Sequence, residues 1–152
     1  MSTVIRMQMS VFLFLLMAML ASRPASAQFN ISGDWSPRSG YDAGNRLAAR
    51  TDVTAVFCAN DQQALGMLRA LHEHGVDVPG DVSVVGFDDI PEAEYLSPPL
   101  TTVRQDFDEV GRRCLAALLD LLDADEPPVP VNQPRVPPAL VVRASTAAAR
   151  AA

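Results

Sequence analysis

The sequence contains no lysine: all 12 of its basic residues are arginine, set against 18 Asp plus Glu, for a net charge of −6 over 152 residues. Exclusive use of Arg beside abundant Ala and Pro is a compositional bias and not the mark of a site. The acidic balance excludes a chain that grips a phosphate backbone by itself. Cysteine is scarce. Cys58 and Cys114 have no metal-ligand spacing, so no metal site is expected, and they read as two small buried hydrophobes rather than a disulfide. Histidine is limited to His72 and His74, at the end of an apolar-periodic segment where positive charge is mildly favourable, and neither is assigned a catalytic role. No apolar run reaches the roughly 20 residues needed to span a bilayer. Nothing in the composition calls for a cofactor.

Half the residues are nonetheless hydrophobic (49%), enough for one modest globular domain. The N-terminus has its own pattern. Arg6 precedes the apolar stretch Val11 to Leu20, and Arg23-Pro24 and the small triplet Ala25-Ser26-Ala27 follow. A positive start, a short apolar stretch and an A-x-A site form a secretory signal, with cleavage expected after Ala27. Residues 28–152 would then carry 10 Arg against 18 acidic residues, a net charge of −8. The competing reading is an accidental hydrophobic N-terminus.

Beyond it, strand and helix patterns alternate. Ser36 suits an N-cap and Pro37 the first position of a helix reaching about Arg50. A strand is expected over Val53–Ala59 and a helix over Gln62–His74, with Ala64, Leu65, Leu68 and Leu71 as its apolar stripe and Gly75 as its stop. The β-branched run from Val82 ends in Asp88 and Asp89. Leu100–Arg104 is a short third strand, followed by a capping-box-like Asp106/Glu109 pair and a helix to about Leu122. Val110, Cys114, Ala117, Leu118 and Leu121 share one face of that helix. Asp123–Pro138 reads as a Pro-rich linker, Leu140–Arg143 as an edge strand. The alternation predicts a parallel sheet flanked by helices. Three strands and an edge strand make an incomplete core for a doubly wound domain.

Three strands end in hydrogen-bonding side chains: Asn60-Asp61, Asp88-Asp89 and Arg104-Gln105-Asp106. Ligands of open α/β sheets bind beyond the carboxyl ends of the strands. A polar rim there suits a polyhydroxylated small molecule, whose hydroxyls need donors and acceptors. Asn60 and Asp88 would bond ligand hydroxyls, or else cap helices and turns. Asp61 reads as the cap of the following helix and Asp89 as structural. Gln105 is a ligand contact or a solvent-facing strand end. Trp35, the only tryptophan, is a platform for a sugar face or a packed loop aromatic. Phe107 is a contact or, more in keeping with its type, core.

Five separated motifs resemble the effector-binding region of the lac repressor/galactose repressor family of transcription regulators, in family order and spacing over about residues 29–147. They are Gly33-Asp34-Trp35-Ser36 with Ser39-Gly40-Tyr41; Ala59-Asn60-Asp61-Gln62 with Ala64-Leu65-Gly66; Val82 to Asp89; Pro98 to Phe107; and Leu140 to Thr146. The resemblance implies part of a periplasmic-binding-protein-like fold, mostly its C-terminal subdomain, that senses a sugar-type effector. Trp35, Asn60, Asp88, Gln105 and Phe107 would line the cleft. The segment after Arg104 would cross to the other subdomain. Leu65 and the region of Tyr95 would form a homodimer contact.

Nothing here resembles the family's DNA-reading helix-turn-helix or the first half of its effector region. One wall of the cleft is therefore expected to be lacking, and direct nucleic-acid binding is not expected. The resulting division is a signal-like segment (1–27), a partial effector domain (28–147) and a disordered tail (148–152). Three other readings stay open: an exported periplasmic sugar-binding protein, a hydrolase using Asp61, Asp88 and Asp89, and an inactive gene remnant. The signal places the chain in the periplasm or outside the cell; the family places it in the cytoplasm.

Overall fold

The computed structural model describes residues 34–123 and 135–148. The signal-like segment, most of the Pro-rich linker and the last residues of the tail lie outside them. In chain order the elements are α1 (Pro37–Leu47), β1 (Ala55–Phe57), α2 (Asp61–Glu73), β2 (Ser83–Asp88), a 3-10 turn (Pro91–Tyr95), β3 (Thr101–Arg104), α3 (Phe107–Asp123) and β4 (Ala139–Val141). The strands form one sheet in the order β1-β2-β3-β4. β1 pairs parallel with β2 (Phe57 opposite Val85), and β2 parallel with β3 (Asp88 opposite Arg104). β4 runs antiparallel to β3 at the edge (Val103 opposite Leu140), so the sheet is mostly rather than wholly parallel.

The local signals work as expected at several points. Ser36 caps α1, its hydroxyl accepting from Ser39 N, with Pro37 at the first helical position. Gly75 takes φ +72° just past the end of α2, a left-handed conformation that glycine adopts without Cβ strain. Several boundaries differ. α1 stops at Leu47, not near Arg50; β1 covers only Ala55–Phe57; β4 covers Ala139–Val141; and the ends of α2 and the start of β3 shift by one residue. The ends of an apolar run are fixed by hydrogen-bond pairing, which composition does not encode.

α1 and α2 pack more closely than ordinary side chains allow. A Cβ on Gly40 would lie 2.0 Å from the Gln63 carbonyl oxygen, and one on Gly66 1.8 Å from that of Pro37. Backbone therefore meets backbone, and Ala43, Leu47, Met67, Ala70 and Leu71 close the layer with no exposure above 1%. Cys58, Val84, Leu100 and Val103 continue this core under the sheet.

α3 departs from that pattern. Its predicted apolar face is not buried: Val110, Leu118 and Leu121 are exposed, as are Leu115, Leu119 and Leu122. Cys114 lies on this helix and is exposed, which corrects its reading as a buried hydrophobe; only Cys58 is buried, and both thiols are free. Amphipathic spacing specifies a face that needs a partner. It does not supply one. Asp106 does cap the helix, accepting from Glu109 N at 2.9 Å. The Glu109 side chain, however, turns to Arg112 and Arg113 rather than back to the cap, so half of the capping box forms.

Candidate functional site

Because β1, β2 and β3 are adjacent and parallel, their carboxyl ends share one edge of the sheet. Asn60, Asp88 and Gln105 stand at that edge. Two linked pairs result. Asn60 caps α2, its Oδ1 accepting from Gln63 N at 2.8 Å while its Nδ2 donates to the Trp35 carbonyl at 3.0 Å. The turn after β1 thereby pins the loop that carries Trp35, whose side chain stays 51% exposed. One strand over, Gln105 Nε2 donates to Asp88 Oδ1 at 2.8 Å. The Trp35 loop is thus held at the buried Asn60 turn, and a partly buried carboxylate is paired with the Gln105 amide one strand over.

Three residues of this region hold a positive φ: Trp35 at 67°, Asp88 at 111° and Asp89 at 57°. Aspartate visits the left-handed region more readily than most residues, but a tryptophan there is an outlier, as is a φ of 111° outside glycine. Such strain persists where surrounding contacts fix it, and it gathers at ligand-binding edges.

Asp61 is not the helix cap. Asn60 takes that role, and Asp61 is the first residue of α2. Its carboxylate is wholly buried. It accepts from Thr102 Oγ1 at 2.6 Å and from Ile90 N at 2.9 Å, which ties the start of α2 to β3 and to the loop after β2. Neighbouring cap-type residues are indistinguishable by type alone. The available signal was Gly86: a glycine inside a β-branched strand marks a close approach, and a Cβ there would lie 2.1 Å from Asp61 Oδ1.

Asp89 is structural, as expected. Arg104 Nε reaches it at 2.5 Å and Arg143 Nη2 at 2.8 Å, while Arg143 also donates to the Leu100 carbonyl. Sequence reasoning placed Arg104 in the polar rim without its partner Asp89, and gave no role to Arg143 or Ser145. Ser145, fully buried, donates to the Val84 carbonyl and accepts from Thr101 N, fastening the end of the chain across β2 and β3.

The three carboxyls differ in electrostatics. Burial pushes Asp61 above the ordinary carboxylate range despite its hydrogen bonds. Asp88 is also raised, chiefly by burial, with the Gln105 amide opposing and the nearby Asp61 adding to it. Burial raises Asp89 as well, but the Arg104 and Arg143 hydrogen bonds outweigh it and hold the group below its ordinary value. Burial, helped by Asp61, pushes the Cys58 thiol up to about 12, so it is inert. With Asp61 sealed and Asp89 engaged by two guanidiniums, Asp88 is the carboxylate of the three best placed to meet a ligand.

Phe107 is 57% exposed at the first turn of α3, which corrects its reading as core. Leu65, on α2, is 37% exposed and Tyr95 80% exposed. Among the described residues no cluster of three His, Cys, Asp or Glu could hold a metal ion, and no helix is long and apolar enough to cross a membrane.

A family model described as a periplasmic binding protein-like domain matches residues 16–146. The chain is 38% identical over 117 residues to the HTH-type transcriptional repressor PurR of Haemophilus influenzae, covering 76% of this chain and 35% of that protein. It is 46% identical over 110 residues to the HTH-type transcriptional regulator MalR of Streptomyces coelicolor, covering 72% and 31%. The chain thus spans about a third of the length of these curated relatives.

Among solved structures, the lac repressor dimer bound to operator and the anti-inducer ONPF superposes with a TM-score of 0.65 at 39% identity, over 76% of this chain and 40% of that one. A LacI family transcriptional regulator from Lactobacillus casei with bound sucrose gives 0.63 at 31% identity, over 73% and 41%.

Proposed function

Since the chain belongs to the periplasmic binding protein-like domain family, on its lac repressor/galactose repressor branch, we propose that it is a sugar-type effector-sensing module of a transcriptional regulator. The observation that supports this reading is that Asn60, Asp88 and Gln105 follow the carboxyl ends of three adjacent parallel strands, with the Trp35 carbonyl held by the Asn60 amide. Asp88 accepts from ligand hydroxyls, and charge assistance strengthens those bonds. The Asn60 and Gln105 amides supply the donors, and the Trp35 indole covers the apolar face of the ring. Phe107 lies just beyond Gln105 and extends the apolar side. Trp35 and Asn60 act as one unit, because the Asn60 amide holds the Trp35 carbonyl.

The regulator's response is ligand-driven closure of two subdomains, the effector favouring one closure state. The domain runs over residues 28–147 with a tail beyond. We read it as a binding module rather than an enzyme: among the described residues near Asp88, Asp61 is sealed and Asp89 is held by two arginines, which leaves no differently tuned pair for acid and base work. It works without a cofactor, and its own acidic surface does not hold DNA. The named relatives are helix-turn-helix regulators, which favours the cytoplasm. A homodimer forms through the exposed Leu65 and Tyr95.

Isothermal titration of the full chain against a panel of mono- and disaccharides tests this. One or more sugars should give saturable heat, and Asp88→Asn should abolish it. No heat from any member, in a chain that melts cooperatively, would defeat the sensor reading and favour the remnant. A gel shift with sequence-selective affinity would overturn the exclusion of DNA.

The signal-like pattern before Gln28 supports a second reading, an exported sugar-binding protein with the same edge residues. Mass spectrometry decides it: a mature N-terminus at Gln28 supports export, and an intact Met1 in the cytoplasm ends it.

A further inference from the structure

We infer that Asp61, a side chain sealed from any ligand, is the positioning residue for Asp88: its buried carboxylate holds the turn from which Asp88 meets the effector. This role rests on the sensor reading of the strand tips. Asp61 has no exposed surface, so its carboxylate needs hydrogen-bond partners inside the protein. It finds them on both sides of Asp88. The Phe87 backbone, just before Asp88, hydrogen-bonds the charged form, and Ile90 N, two residues after, donates to Oδ2 at 2.9 Å. Between these anchors lie Asp88 and Asp89, at φ 111° and 57°. Such backbone strain survives only where its surroundings over-determine it, and one carboxylate bonded at either end of the bend does so.

β2 and β3 are shaped around the same group. Gly86 and Thr102 lie opposite each other in the two strands. Thr102 Oγ1 donates to Asp61 Oδ1 at 2.6 Å, and Gly86 leaves the carboxylate the space that a Cβ would take, 2.1 Å from that same oxygen. Gly86 and Asp88 are two residues apart and share a strand face, so the buried carboxylate and the ligand-side one are neighbours. Asp61 accordingly adds to the rise in the Asp88 pKa. The other titratable groups around the pair are already settled: Asp89 is engaged by Arg104 and Arg143, and Cys58 is a neutral thiol. Asparagine at position 61 would still offer one oxygen to Ile90 N, with the Thr102 hydroxyl turned to accept from its amide. Alanine would offer nothing.

The test uses the full chain, and its first arm needs no ligand. NMR follows the Asp88 carboxyl through an acid titration, and amide hydrogen exchange follows Ile90. Asp61→Ala should speed exchange at Ile90 at least about tenfold, through loss of a hydrogen bond to a charged group, and should move the Asp88 and Asp89 backbone signals. Asp61→Asn should keep Ile90 protected and shift the Asp88 titration to lower pH, because the neighbouring charge is gone. Ile90 sits at φ −60°, which proline shares, so Ile90→Pro deletes this one N–H with Asp61 in place and should move the same backbone signals. That variant carries the arm if Asp61→Ala does not melt cooperatively. Unmoved Asp88 signals in these variants would overturn the inference.

The second arm is calorimetry against a panel of mono- and disaccharides. Asp61→Ala should weaken binding about tenfold and Asp61→Asn should restore most of it. Ser145→Ala, an equally buried hydrogen-bond loss away from the turn, should leave affinity unchanged. Parent-like affinity in Asp61→Ala would overturn the inference and spare the sensor reading. Heat from no sugar, with the NMR responses intact, would defeat the sensor reading and leave the hold of Asp61 on the turn standing.

Discussion

The α1/α2 layer and α3 are both amphipathic helical segments, and they meet opposite fates. The first closes on itself so tightly that Gly40 and Gly66 leave no room for a methyl group. The second keeps large apolar side chains on its surface from Phe107 to Leu122, and its own Gly111 has nothing within 4 Å of where a Cβ would be. Periodicity made both helices, and the presence of a packed neighbour separates them. Gly40, Ala43 and Gly44 let one helix reach its neighbour's backbone, whereas Gly111 of α3 meets no neighbour.

Identical substitutions in the two regions should therefore diverge. The largest contrast is leucine truncation. Leu71→Ala in α2 should lose about 3–4 kcal/mol, the cost of a buried cavity, while Leu122→Ala, at an exposed site, should fall within about 0.5 kcal/mol of the parent. Urea unfolding midpoints measure both, and equal losses would break the contrast. Gly66→Ala should destabilise by about 2–3 kcal/mol through overpacking. Gly111→Ala should stabilise by up to about 1 kcal/mol, because it adds helix propensity with no clash. A thermal melt reads the opposite signs.

A smaller effect sharpens the picture of the packed half through pH. Asp61, raised in the folded state, binds its proton more readily there than in the unfolded chain. Its contribution to stability therefore improves as pH falls through its folded pKa and levels off below the unfolded value near about 3.9. Asp89, held low by its two arginines, acts in the other direction: its contribution is full above about 3.9 and is lost as pH falls through the folded value. Asp61→Asn should remove the first trend and Asp89→Asn the second, in denaturation midpoints collected from neutral to strongly acidic pH. Profiles that do not separate would contradict the buried and clamped geometries.

Much of this was legible in the sequence where residue type and geometry coincide. Ser36-Pro37 opened a helix, Gly75 closed one, and the abrupt end of each β-branched run put Asn60, Asp88 and Gln105 at one edge. What stayed hidden depended on partners. Asn60 and Asp61 are both good caps by type, and only the fold shows that one caps while the other goes inside to Thr102. Arg104 and Arg143 are far apart in the chain and become a clamp only when β4 folds back beside β3. The bareness of α3 was equally unreadable, because a stripe of leucines looks the same whether or not anything covers it.

Trp35 is the only tryptophan, so the chain's indole fluorescence reports on the proposed site alone. Titrating the full chain with the sugar that gives calorimetric heat should shift that emission saturably, and in Asp88→Asn the midpoint should move to at least about tenfold higher concentration, as loss of one charge-assisted hydrogen bond requires. Saturable heat that leaves Trp35 emission unmoved, or an Asp88→Asn chain that binds as tightly as the parent, would mean that the strand tips are not where the effector sits.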